Sequence, residues 1–143
     1  MRKVLLLFLL TQARNKLQGQ QLSVMVVESR TGSPLANKTV ELRFRPDALT
    51  SEVTSKTGKD GIAKFVLPTP PPTEIYDVTI PNSEIAECAA LKDLQLDEVR
   101  QRGIISPSCD PKKDASLDST SGVIVLRVWK LSLWQRLMRR SEA

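Results

Sequence analysis

The chain has 143 residues, 21 Lys and Arg against 16 Asp and Glu, two cysteines, no histidine and only 4% aromatic residues. That length fits one ordinary domain with a real core, and a core so poor in aromatics must rest on Val, Leu and Ile. Without histidine, Ser-His-Asp and Cys-His catalysis and His-based metal sites are excluded within this chain, and two cysteines cannot complete a four-cysteine zinc or iron–sulfur site.

Residues 1–13 join a basic start, Arg2 and Lys3, to the apolar run Val4–Leu10 and the small residue Ala13. This is the layout of a secretory signal; a strand is the competing reading. The run is far shorter than the roughly 20 residues of a membrane span. A signal here places the protein outside the cytosol: secreted, periplasmic or at the cell envelope. Residues 14–20 are polar and expected to be loose. The domain proper is expected over 22–130, and a basic amphipathic tail over 131–143.

Leu22–Val27 is nearly continuous in apolar character, as in a strand buried on both faces. Arg30–Lys38 is a loop punctuated by Gly32 and Pro34. Thr39–Arg45 alternates, with Val40, Leu42 and Phe44 on one face, the pattern of a strand with one wet side. Glu52–Thr57, polar and Thr-rich, is expected at an edge. Lys56–Gly61 predicts a hairpin, with Gly58 and Gly61 at positive φ. Its return strand, Ile62–Leu67, carries Ala63, Phe65 and Leu67 on one face. Pro68–Pro72 cannot pair in a sheet, because proline lacks the donor. Tyr76, Val78 and Ile80 alternate again.

From Asn82 to Arg102 the alternation stops, and one or two short helices are expected, the better from about Leu94 to Arg102. Gly103 stands where a C′ residue should, with Ile104 and Val99 as the hydrophobic pair of a Schellman ending. Asp110–Gly122 reads as a loop. Val123–Trp129 is the last strand, with Ile124, Leu126 and Val128 inward and Val125, Arg127 and Trp129 outward. From Leu131 to Arg140 the spacing is helical. About seven short strands with turns between them argue for an all-β sandwich.

The run Gly32-Ser33-Pro34-Leu35-Ala36-Asn37-Lys38-Thr39-Val40-Glu41-Leu42, followed by Thr57-Gly58-Lys59-Asp60-Gly61-Ile62-Ala63-Lys64-Phe65, resembles the transthyretin-like sandwiches. More narrowly it resembles the carboxypeptidase regulatory-like domains, with a near neighbour in the bacterial Ig-like domains of the invasin and intimin type. Pro34, Leu35, Val40, Leu42, Asp60, Gly61, Ala63 and Phe65 carry the likeness, and Tyr76 and Val78 fit the following strand. The resemblance covers about residues 22–80 and the last strand. It implies a noncatalytic exported module of adhesion, scaffolding or carbohydrate contact. The segment 82–109, read as a helical insertion, departs from that pattern. A Lys–Asn isopeptide bond found in related sandwiches needs a lysine in the first strand, which Leu22–Val27 lacks.

Cys88 and Cys109 bracket the insertion. In an exported protein they invite a disulfide, against the alternative of two buried cytosolic thiols. Loops and insertions carry binding on such scaffolds, so Glu87, Lys92, Asp93, Asp97, Glu98 and Arg100 are the candidate partner contacts, together with the Pro68–Thr73 loop. The competing reading makes the segment a cap that fills the core through Ile85, Leu91, Leu94 and Val99. In the tail, Trp134 with Arg136, Arg139 and Arg140 could lie on an anionic membrane; packing of its apolar face on the sandwich is the preferred alternative. Asp47, Asp60 and Asp77 could offer oxygens to calcium, and Glu41 with Glu52 could form an acid–base pair, but ordinary turn and strand roles are the commoner explanation of both. No metal site and no cofactor are expected.

The resulting expectation is a noncatalytic exported sandwich that binds a protein or carbohydrate partner. The alternatives are a membrane-surface accessory protein tethered by its basic tail, and a small enzyme or enzyme regulator, which the missing histidine disfavours. Nucleic acid is not an expected partner. There is no RNA-binding aromatic motif or zinc-finger spacing, and the excess positive charge lies partly at the two ends.

Overall fold

The computed structural model describes residues 21–45, 52–82 and 84–141. The signal-like segment, residues 14–20, Asp47 and the last two residues of the tail lie outside the described residues. Within them run β1 (Gln21–Glu28), β2 (Thr39–Phe44), β3 (Glu52–Lys56), β4 (Ile62–Val66), β5 (Glu74–Thr79), β6 (Ile85–Glu87), β7 (Leu91–Gln95), α1 (Leu96–Arg102), β8 (Ile104–Ile105), β9 (Val123–Lys130) and α2 (Leu133–Ser141).

The strands form two sheets, the expected all-β sandwich. One sheet has the order β4–β1–β9–β6, with β8 also pairing β9; the other has the order β3–β2–β5–β7. The core lies between them. Leu22, Val24, Val26, Ala63, Phe65, Ile124, Leu126 and Val128 come from the first sheet, and Val40, Leu42, Phe44, Ile75, Val78 and Leu91 from the second. Each set follows from period-two alternation along a strand.

The first strand and the last are both central and run parallel, from Ser23 opposite Val123 to Glu28 opposite Val128. The apolar character of Leu22–Val27 follows from this position. Val26 and Val27 point to opposite faces, yet both are buried, so β1 is covered on both sides here.

Three local expectations change. The turn after β3 does not close a hairpin within one sheet: β3 pairs β2, while β4 pairs β1 across the sandwich. Thr57 fixes the crossing, since its buried hydroxyl donates to the Leu35 carbonyl at 2.6 Å and accepts from Lys38 N–H at 2.9 Å. Of its two glycines only Gly61 takes a positive φ, 75°.

The second change is in β5. Leu42 faces Val78 and Arg43 faces Asp77, but Phe44 faces Ile75, so Tyr76 is an extra residue against β2. This β-bulge shifts the alternation by one. Ile75, not Tyr76, enters the core. Tyr76 turns outward beneath the Arg45 guanidinium, whose carbon stands 4.8 Å from the ring centroid.

The third concerns 82–109. Only Leu96–Arg102 is helical, as the better of the two expected helices. The rest of the ordered part is strand, added to both sheets: β6 and β8 flank β9 end to end, and β7 pairs β5. Short polar-edged strands such as Leu-Lys-Asp-Leu-Gln lack the length for a clear period. The helix end is not a Schellman motif either. Gly103 N–H donates to the Val99 carbonyl at 2.9 Å, Gly122 N–H donates to the same oxygen at 2.8 Å, and Ile104 leaves to pair Ile124.

Candidate functional site

The chain after β8 forms a strap over the outer face of the first sheet, and the Cys88–Cys109 disulfide anchors it. The expected bond is formed, with Cα atoms 4.6 Å apart. Cys88 extends β6, its N–H donating to the Arg127 carbonyl at 2.9 Å. Cys109 follows β8, so the bond closes the excursion through β7, α1 and β8. Further along, Ala115 N–H donates to the Ser29 carbonyl at 3.0 Å.

Beneath the strap lies a polar cluster that the alternation of β9 concealed. Arg127 points outward as expected, but it is 6% exposed and donates to the Ser29 carbonyl and hydroxyl at 3.3 and 3.4 Å. The Ser29 hydroxyl donates to the Asp114 carboxylate, which also accepts from Asp110 N–H at 3.0 Å. These donors, the Asp110 amide first and the Ser29 hydroxyl next, hold the Asp114 carboxyl below its usual range, with Arg127 adding a smaller push. A lone arginine inside Val-Ile-Val-Leu-Arg-Val was the available signal, since a charge within such a strand needs partners. The two sulfurs and Asp114 lie within 4.8 Å of one another, but a disulfide has no thiolate to offer a metal.

Removing both cysteines, as Cys88→Ser with Cys109→Ser, should lower stability by about 3 kcal/mol, the loop-closure value for this span. A denaturant midpoint equal to the parent's would refute it. Asp114 adds a pH arm. Its folded pKa is depressed, so its contribution is present above the ordinary carboxylate range and lost as pH falls through the folded value. The protection factor of the Ala115 amide should therefore drop in acid, and drop further in the double-serine variant.

The six candidate partner residues do not form one patch of free side chains. Glu87 is half-buried and accepts from Ile80 N–H at 2.8 Å. Asp93, at φ 55°, is exposed but bound to Arg45 at 2.7 Å. Lys92 stands exposed on β7, and Asp97 and Glu98 are exposed in the first turn of α1, where acids suit the helix dipole. Arg100 is half-buried. From the same segment, Ile85, Leu91 and Val99 are buried and Leu94 packs on the core. Of the three aspartates considered for calcium, Asp60 accepts from Ile62 N–H in its turn and Asp77 is buried 4.0 Å from Arg43.

The tail departs most from the preferred expectation. Leu131 is buried, but α2 buries no residue. Leu133, Trp134, Leu137 and Met138 are exposed, Trp134 by 77%. At about 100° per residue these four side chains share an arc of roughly 140°, and Arg139 lies close to its opposite. Arg139 holds the helix to the body, donating to the Asn82 and Ile85 carbonyls at 3.3 and 3.2 Å. Arg136 donates to the Leu131 carbonyl at 3.3 Å, and Leu131 N–H donates to the Glu84 carbonyl at 2.8 Å. A side chain at the back fixes the helix while its apolar face looks away from the sandwich.

Comparison with protein-family models, with curated proteins and with solved structures finds no match. Among the described residues no helix is long and apolar enough to cross a membrane.

Proposed function

We propose that this is a noncatalytic, exported β-sandwich module that docks on an anionic lipid surface through α2. The observation that carries the reading is the apolar face of α2, which makes no core contact although Arg139 ties the helix to the body. Leaving Leu133, Trp134, Leu137 and Met138 in water is costly, and a patch of this kind rimmed by charge marks an interaction surface. One edge of the stripe is cationic, with Arg136 and Arg140 both bordering it beside Leu133, which suits anionic headgroups, while a tryptophan suits the interfacial zone. The disulfide agrees with an oxidising compartment, as does the signal-like start. The resemblance to carboxypeptidase regulatory-like and Ig-like sandwiches supports a scaffold without catalysis.

Flotation tests the reading. The protein should float with phosphatidylglycerol vesicles, less with phosphatidylcholine and less at high salt. A chain ending at residue 130, or Leu137→Asp with Met138→Asp, should stay at the bottom. In a Trp129→Phe background the Trp134 emission should shift to the blue on adding vesicles. Unchanged emission together with no flotation would sink the proposal.

A further inference from the structure

A pocket of about 350 Å³ lies at the foot of α2, lined by Lys38, Lys130, Arg136 and Glu84, with Leu35 and Ile85 as apolar lining. Three separate stretches of chain build it, and the fold fixes each backbone. Lys38 precedes β2, where its N–H donates to the Thr57 hydroxyl and its carbonyl accepts from Thr57 N–H, both at 2.9 Å. Lys130 ends β9 opposite Ile85. Arg136 sits in the first turn of α2, its Nε spent on the Leu131 carbonyl.

The charges do not cancel within the pocket. Among the described residues the Lys38 ammonium has no ion-pair partner, and Glu84 forms no ion pair with any of the three cations. Lys130 meets Glu28 at 3.7 Å, but Glu28 does not line this pocket. With Lys130 held by Glu28, Lys38 and Arg136 still stand against the one carboxylate of Glu84, and the concave site keeps a net positive charge. Such a site repels itself when empty and concentrates anions. A guanidinium matches phosphate oxygens as a fork, and the Lys38 ammonium acts as a point charge on the same group. Leu35 and Ile85 give the carbon side of an ester something apolar to meet.

We infer that this pocket binds the phosphate of a phosphate ester. The ester can be a lipid headgroup, in which case the inference rests on the docking of α2 proposed above, or a soluble metabolite, in which case it stands apart from it. Amide NMR of the full chain titrated with glycerol 3-phosphate at fixed ionic strength tests the shared chemistry. Saturable shifts are expected at Lys38, Ile85 and Arg136, and about tenfold weaker binding in Lys38→Ala or Lys38→Gln. Both changes lie outside α2. Vesicles distinguish the sources. With a lipid source, the protein prefers phosphatidic acid over phosphatidylserine at equal vesicle charge, and Lys38→Ala removes the preference while still binding both. With a soluble source, the NMR shifts saturate and no such preference exists. Shifts that are absent, reproduced by sodium chloride, or unchanged in both Lys38 variants overturn the inference. Failure of the α2 reading is seen separately, as a Leu137→Asp protein that binds vesicles like the parent.

Discussion

Phe65→Ala should cost about 3–5 kcal/mol of stability, by the loss of buried apolar area and the cavity left behind. Phe65 is 3% exposed, in β4 opposite Leu22, and packs in the cluster between the two sheets. The next residue supplies the control. Val66 is 71% exposed on the other face of the same strand, so Val66→Ala should change stability by no more than about 0.5 kcal/mol. The pair isolates face from strand, because both substitutions shorten a side chain in the same edge strand. A domain of this kind has only about 5–15 kcal/mol in hand, so the Phe65 loss should be plain in a denaturant midpoint. Equal midpoints for the two variants would mean that the alternation of β4 is misassigned.

Gly103→Ala should be as damaging, through the backbone. Gly103 ends α1 at φ 72° and ψ 171°, a region held almost entirely by glycine and strained by about 1–3 kcal/mol for other residues. Space is the second obstacle. A Cβ there would stand 2.1 Å from the Thr120 carbonyl oxygen and 2.9 Å from that of Val123. Both are backbone atoms beside the start of β9, so no side-chain rotation relieves the clash. The strap must shift, or the junction of α1 with β8 must open. The expected loss is about 3 kcal/mol or more, with reduced amide protection at Gly122, whose N–H donates to Val99. Arg102→Ala, one residue earlier and exposed, should be near neutral. A Gly103→Ala protein as stable as the parent would show that the close approach of the Thr120 backbone is wrong.

The candidate site was legible in its parts. Trp134, Leu137 and Met138 stand out in the sequence because helical spacing gathers them on one face, apart from Arg136, Arg139 and Arg140. Whether that helix rests on the sandwich or stands clear depends on which face meets the body. An arginine bonding to two carbonyls of the β6 region decided it, and spacing carries no such information. The basic pocket was not legible at all. Lys38, Lys130 and Arg136 are distant in sequence except for the last two, and each alone looks like a solvated surface charge.

The sandwich followed from period-two alternation in Val40–Phe44, Ala63–Leu67 and Ile124–Val128, because a strand buried on one face must repeat every second residue. The disulfide followed from the count of two cysteines read together with a signal-like start, since a pair of cysteines has few other fates where the compartment is oxidising. Partner choice between strands could not follow from the sequence, because hydrogen-bonding backbones are alike from strand to strand. So the parallel pairing of β1 with β9, the crossing from β3 to β4 and the strand character of 85–95 belong to the tertiary structure. The bulge at Tyr76 belongs there too: one extra residue against β2 inverted the face of Ile75, a change that local alternation cannot register. Burial of Arg127 was decided in the same way, by a strap that closes over it from a distant part of the chain.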